Sequence, residues 1–175
     1  SQKEAIDRLF LEAKWYKNTI IACGNINGYD TKTKNAKVKM PDGNFETREL
    51  KYLGSQIKQS ILTQVKSNIK TLATQKQNGR KVGRLNFVKE VNSIELKQYG
   101  NSYRFKSATK VKLQNIPGYV RVRGAEQLQG YELANARLVR KPSGYHLLIT
   151  AFKNKNEIKE KETEKDRKVK RKGQR

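Results

Sequence analysis

Between Lys3 and Cys23 the apolar residues Ile6, Leu9, Phe10, Ala13, Tyr16, Ile20 and Ile21 recur at helical spacing. The pattern predicts an amphipathic helix that buries this face, with Lys17 inside the arc carrying its ammonium outward along an apolar stem. Leu11, Trp15 and Ala22 form a second, narrower stripe on the opposite side, which predicts a helix covered on two faces, by its own chain ahead of a partner. Gly24 and Gly28 end the helix, and a polar connector follows. Within it, Lys37-Val38-Lys39-Met40 is expected to pair with residues 45–48 across the turn Pro41-Asp42-Gly43.

A second helix is predicted over residues 55–77, N-capped by Ser55 and burying Ile57, Ile61, Leu62, Val65, Ile69 and Leu72. Its opposite arc carries Gln59, Thr63, Lys66, Ser67 and Lys70. An ordinary solvated face fits this arc, and so does a face whose amides and ammonium groups reach base edges in a groove.

Beyond residue 79 the period shortens from that of a helix to that of a strand. Phe87, Lys89, Val91 and Ser93 alternate with Val88, Glu90 and Asn92, and "SYRF", "KVKLQNI" and "YVRVRG" follow with Pro117-Gly118 between the last two. "ELANARLVRK" and "YHLLITAF", joined by Pro142-Ser143-Gly144, read as an antiparallel hairpin. Short strands separated by turn residues predict a small antiparallel β-barrel or a strongly curved sheet. The expected fold is therefore α+β, with a helical lobe over residues 1–78 and a β domain over residues 79–152. Residues 153–175 are almost free of apolar side chains and are expected to form a charged, disordered tail.

Charge sharpens this picture. Lysine and arginine number 39 against 16 acidic residues, a net charge of +23, and only 35% of the chain is hydrophobic. A surplus of this size repels itself unless a polyanion shares the volume, which favours nucleic acid as the partner. A membrane surface fits less well, because neither helix has a polar face built mainly of Lys and Arg. No apolar run approaches the roughly 18 residues of a membrane span, and no signal-peptide pattern opens the chain, so a cytoplasmic location is expected. The start at Ser1 is read as that of a processed or excised fragment.

The cations are patterned. Arg104, Lys106, Lys110, Lys112, Arg121 and Arg123 occupy residues 103–124 without a single acid, and alternation places Lys110 with Lys112, and Arg121 with Arg123, on shared strand faces. A wet sheet face usually mixes signs, so phosphate contact is the favoured role. Arg80, Lys81 and Arg84 cluster with Gly79 and Gly83 ahead of the strands, either as a solvated loop or as a turn that grips a nucleic-acid backbone.

Candidate catalytic chemistry is sparse. Cys23 is the one cysteine and His146 the one histidine, so neither a disulfide framework nor a zinc site of paired cysteines is expected. Two-metal phosphodiester cleavage needs converging carboxylates, and residues 97–153 contain only Glu126 and Glu132. No catalytic residue, metal ligand or cofactor is predicted.

"SQIKQSILTQVKSNIKTLA" resembles the second-helix signature of the transposon-encoded TnpB (OrfB) proteins, RNA-guided DNA endonucleases related to the miniature type V CRISPR effectors. Gly79-Arg80-Lys81-Val82-Gly83 followed by Leu85-Asn86-Phe87-Val88 is similar to the family's cationic turn and the segment after it. Asn92-Ser93, Ile116-Pro117-Gly118 and "RLVRKPSGYHLLIT" resemble parts of its sheet, so the resemblance spans about residues 1–152. It departs at Lys58, where the family has an apolar residue, and in "RLNFV", where it has Pro-Arg-Phe-Lys. The family's first wedge strand and its carboxylate-bearing nuclease half have no counterpart here, and one cysteine excludes its zinc ribbon.

The resemblance implies a helical recognition lobe and a wedge-like barrel that together hold a structured guide RNA and target DNA. It places reading of a short target-adjacent motif at Gln56 and Gln59 and backbone contact at Arg80, Lys81 and Arg84, with sequence choice left to the guide. It also implies a prokaryotic, nucleoid-associated protein. The competing class is a stand-alone, sequence-independent basic RNA-binding or assembly protein, or an RNA-guided repressor lacking a nuclease.

Overall fold

The structure, a computed structural model, describes residues 1–24 and 26–153. The expected tail therefore lies outside the described residues, apart from Lys153. Helix α1 (Gln2–Ala22) is followed by a hairpin of β1 (Asn35–Lys39) and β2 (Phe45–Glu49), and then by helix α2 (Ser55–Gln77). Six strands follow: β3 (Ser93–Leu96), β4 (Tyr103–Ser107), β5 (Lys110–Leu113), β6 (Val120–Arg121), β7 (Glu132–Lys141) and β8 (Gly144–Phe152), with a 3₁₀ turn at Ala125–Leu128. The fold is α+β, a helical lobe followed by small antiparallel sheets.

The expected barrel does not form. Strands β3–β7–β8 and β4–β5–β6 make separate three-stranded sheets, neither closed on itself, because among the described residues β6 pairs with β5 alone and β8 with β7 alone. The long β7–β8 hairpin has the predicted strands, with Lys141 paired to Gly144 across Pro142-Ser143. The Pro41-Asp42-Gly43 hairpin also forms, pairing Lys37 with Thr47 and Lys39 with Phe45, while Met40, expected in the strand, lies beyond the end of β1.

One core joins these pieces. Ile6, Leu9, Phe10, Ala13, Tyr16 and Ile20 of α1 meet Ile57, Ile61 and Val65 of α2, and the same cluster takes in Ile94, Leu96, Tyr103, Val111, Leu113 and Leu138 from both three-stranded sheets. Leu9 is 1% exposed and Ile57 1%, so each contributes close to the full 1.5–3 kcal/mol expected for a buried aliphatic side chain (order of magnitude). The second stripe of α1 is not a packing face: Leu11 and Ala22 are exposed. Trp15 alone of the three is buried, under the guanidinium groups of Arg8 (4.4 Å from the ring centroid) and Arg48 (5.8 Å).

Burial on α2 stops halfway. Ile57, Ile61, Leu62 and Val65 are buried, but Ile69 is exposed and Leu72 only partly covered, so the outer half of the helix, residues 66–77, about 18 Å long at 1.5 Å per residue, is mostly solvent-exposed. The N-cap of α2 is Gly54, one residue ahead of the predicted Ser55, with no side-chain hydrogen bond at the cap. Residues just upstream are held instead by Glu12, fully buried on α1, whose Oε2 accepts from the backbone N–H of Tyr52 (2.8 Å) and Leu53 (3.0 Å).

The alternation at residues 87–92 does not make a strand, and the ladder begins only at Ser93. Val82, Leu85, Val88 and Val91 are half-buried at intervals of three, the period of polyproline II rather than of a strand. Asn18 of α1 serves as the pairing partner: its Nδ2 donates to the Val88 carbonyl (3.0 Å) and its Oδ1 accepts from the Val88 N–H (2.8 Å). A side-chain amide can replace a neighbouring strand because it presents a donor and an acceptor together.

Candidate nucleic-acid interface

The site is built on β4–β5–β6. Register pairs Arg104 with Lys112 and Lys110 with Arg121, while Tyr103 lies opposite Leu113, and Phe105, Val111 and Val120 align across the three strands. Directly opposed residues share a face, so the sheet has one cationic and one apolar side. The apolar side is the core side: Tyr103 and Val111 are 1% exposed, and the Tyr103 hydroxyl donates to the Ala134 carbonyl (2.9 Å), tying this sheet to β7.

Lys106 is the additional residue at a bulge between Phe105 and Ser107, and its ammonium lies 4.8 Å from the ring centroid of exposed Tyr119. Bulges re-aim side chains, here onto an aromatic face. Lys112 is half-buried and donates to the Ile116 carbonyl (2.7 Å), so part of its work is to hold the turn after β5. That turn continues into Pro117-Gly118, where Gly118 has φ +69 and a Cβ would meet Gln2 Nε2 at 2.9 Å. Gln2 donates from there to the Tyr119 carbonyl (2.7 Å), anchoring the start of β6 to α1.

The distribution of acids sets the electrostatics. Among the described residues, the side-chain ion pairs join Arg8 to Glu12, Arg48 to Glu46, and Arg140 to Asp7 and Glu90. None involves Arg104, Lys106, Lys110, Lys112, Arg121 or Arg123, nor the cations of α2 and of the segment after it. These four acids thus neutralise arginines that brace α1 and the hairpins.

The remaining predicted residues fall in two further places. Gln59, Lys66 and Lys70 are exposed along α2, the two lysines one turn apart on its outer half, and Arg80, Lys81 and Arg84 are exposed just past its C-terminus. Gln56 has a different setting: its Oε1 accepts from the hydroxyl of buried Ser102, and its Nε2 approaches Gln98 Oε1 (3.5 Å). These contacts bring the first turn of α2 against the start of β4. Gln56 therefore positions the helix on the sheet, while Gln59, one turn on, keeps its amide in solvent.

Two buried charges have structural roles that the sequence did not indicate. Lys58, 6% exposed, donates to the Thr33 carbonyl (2.7 Å), and burial holds its pKa below that of a free lysine, partly offset by Glu12 and Asp30. Glu12, the other, shares an ion pair with Arg8 (3.2 Å), and that (i, i+4) spacing was its only mark in the sequence. Among the described residues no three His, Cys, Asp or Glu side chains are grouped closely enough to hold a metal ion, and no helix is long and apolar enough to cross a membrane.

No protein-family model matches the chain, and no curated protein is significantly similar to it.

Proposed function

We propose that this chain grips nucleic acid without cutting it, as the RNA- and DNA-holding portion of a TnpB-like RNA-guided endonuclease. The reading is carried by the open face of β4–β5–β6, where Arg104, Lys110, Lys112 and Arg121 stand together without an acidic partner among the described residues. Like charges opposed in a ladder weaken it. A fold that keeps them gains when phosphates neutralise them on binding.

In this reading Lys66, Lys70, Arg80, Lys81 and Arg84 hold backbone along the outer half of α2 and its exit, and Gln59 reads base edges beside the target. The family assignment rests on the α2 signature and on the glycine-flanked cationic turn at residues 79–83. Exposure of that turn and of the outer half of α2 supports it.

The second reading, a stand-alone RNA-binding or assembly protein or a nuclease-less repressor, shares the cationic face. Fluorescence anisotropy separates the two: RNA transcribed from the DNA flanking the gene is expected to bind at least tenfold more tightly than an unrelated structured RNA. Equal affinities would transfer the chain to the sequence-independent class. Metal-dependent cleavage by the purified chain, lost on replacing one of its acids, would overturn both readings.

A further inference from the structure

A groove of 1240 Å³ separates the two three-stranded sheets where they meet the first turn of α1. Its floor is apolar, formed by Phe105 and Val120 from one sheet and Leu138 and Leu147 from the other. Lys3, Arg121 and Arg123 stand along it, and among the described residues no Asp or Glu lines it. Tyr131, 41% exposed, lines it too, with the ammonium of Lys153 5.1 Å from its ring centroid.

We propose that this groove seats an unpaired stretch of nucleic acid, bases inward and phosphates on Lys3, Arg121 and Arg123. Three features favour that occupant. The volume exceeds the roughly 300–1,000 Å³ of pockets that enclose one small ligand, so a chain segment fits better than a metabolite. An apolar floor with an exposed tyrosine and a cationic wall matches the two halves of a nucleotide, a π-face for stacking and a phosphate for charge. Arg121 also links the groove to the cationic face, because it lines the groove and is the ladder partner of Lys110. A backbone lying across that face therefore passes over edge strand β6 directly into the groove. A duplex keeps its bases stacked inside and offers nothing to the floor, so the groove selects single strands.

The inference rests on the nucleic-acid reading above, and its test separates the two. Affinities are measured for a labelled unstructured 12-nucleotide RNA, the same sequence as single-stranded DNA, a 12-base-pair RNA duplex, and an acidic peptide with alternating Glu and Leu. The variants are Tyr131→Ala and Leu148→Glu, both at exposed positions of the groove wall. Each variant is expected to lose about tenfold in affinity for the single strands, the scale of one stacked base, with duplex affinity unchanged. A preference between the RNA and DNA strands identifies which of them the groove takes. Single-strand binding unchanged in both variants, with duplex binding intact, would overturn the groove proposal and leave the cationic face standing. Peptide binding tighter than that of either single strand and lost in Tyr131→Ala would overturn it by assigning the groove to a protein partner. Failure of the wild-type chain to bind any of the nucleic acids would overturn the broader reading, and the groove assignment with it.

Discussion

Lys110 and Arg121 stand directly opposite one another in the β5–β6 ladder, two cations on the open face of one sheet with no acid paired to either among the described residues. Four acids, Asp7, Glu12, Glu46 and Glu90, pair with other arginines instead. Asp7 and Glu90 flank Arg140, and Asp7 also accepts from the Tyr145 hydroxyl, so these charges fasten α1 and the segment before β3 to the β7–β8 hairpin. The chain thus separates charges that brace the fold from charges left for a partner, and the predictions follow that division.

Arg80 and Arg84 belong to the second group. Both are exposed in the segment after α2. Arg80→Ala combined with Arg84→Ala is expected to weaken binding of structured RNA while shifting unfolding free energy by no more than about 0.5 kcal/mol, as surface changes do. Loss of folding in this variant, seen by circular dichroism, would make those side chains structural.

Asn18 belongs to the first group. It supplies the two hydrogen bonds to Val88 that hold the segment carrying Arg80 and Arg84 against the body. At about 1 kcal/mol net per bond, Asn18→Ala is expected to cost roughly 1–2 kcal/mol and to abolish hydrogen-exchange protection at the Val88 amide. Unchanged protection there would show that Leu85 and Val91, packed against the core, hold the segment alone.

Glu12 and Lys58 are both buried charges, but they differ in what they satisfy. Removing the Glu12 carboxylate strands two backbone N–H groups, and hydrogen bonds to charged groups contribute roughly 1.5–3 kcal/mol each, so Glu12→Ala is expected to cost about 3 kcal/mol or more. Lys58 gives up one carbonyl contact, and an apolar side chain of similar volume recovers the desolvation of its ammonium, so Lys58→Met is expected to stay within about 1 kcal/mol of wild type. Urea denaturation followed by Trp15 fluorescence measures both, and equal losses would contradict this ranking.

Alkaline pH has a defined sign. Burial raises the phenol of Tyr103 to about 12, and burial together with the bond to Asp7 raises that of Tyr145 to about 12, against 10.0 for a free tyrosine. The stability these groups contribute is fully present below pH 10 and is lost as pH climbs through 12, because the unfolded chain ionises first. Lys17 and Lys58, held below 10.5 by burial, act in the opposite direction but only below that value. Unfolding free energy is therefore expected to fall between pH 10.5 and 12, less steeply in Tyr145→Phe. A flat profile over that interval would contradict it.

Much of this architecture was legible in the chain. Period and turn residues located both helices, the Pro41-Asp42-Gly43 hairpin and the β7–β8 hairpin, because each depends on local chemistry. Closure into a barrel was not legible, since it depends on which edges pair. The expected strand at residues 87–92 failed for a related reason: alternation was present, but the available partner was the side chain of Asn18 rather than another strand. Of the site, the shared face of Lys110 and Lys112 could be read from alternation, but Arg123, expected on a strand face with Arg121, lies beyond the end of β6. The structural task of Gln56 could not be read, because Ser102 reaches it from 46 residues away in sequence.

The most direct test of the account is the salt dependence of RNA affinity for the wild-type chain and for Lys110→Ala combined with Arg121→Ala. Each lost phosphate contact is expected to make the slope of log affinity against log salt shallower by about one, so the double variant should lose about two units of slope. Its unfolding free energy should be unchanged, or higher by a few tenths of a kcal/mol once the opposed cations are gone. A variant that keeps the wild-type slope would contradict the claim that this face meets phosphate.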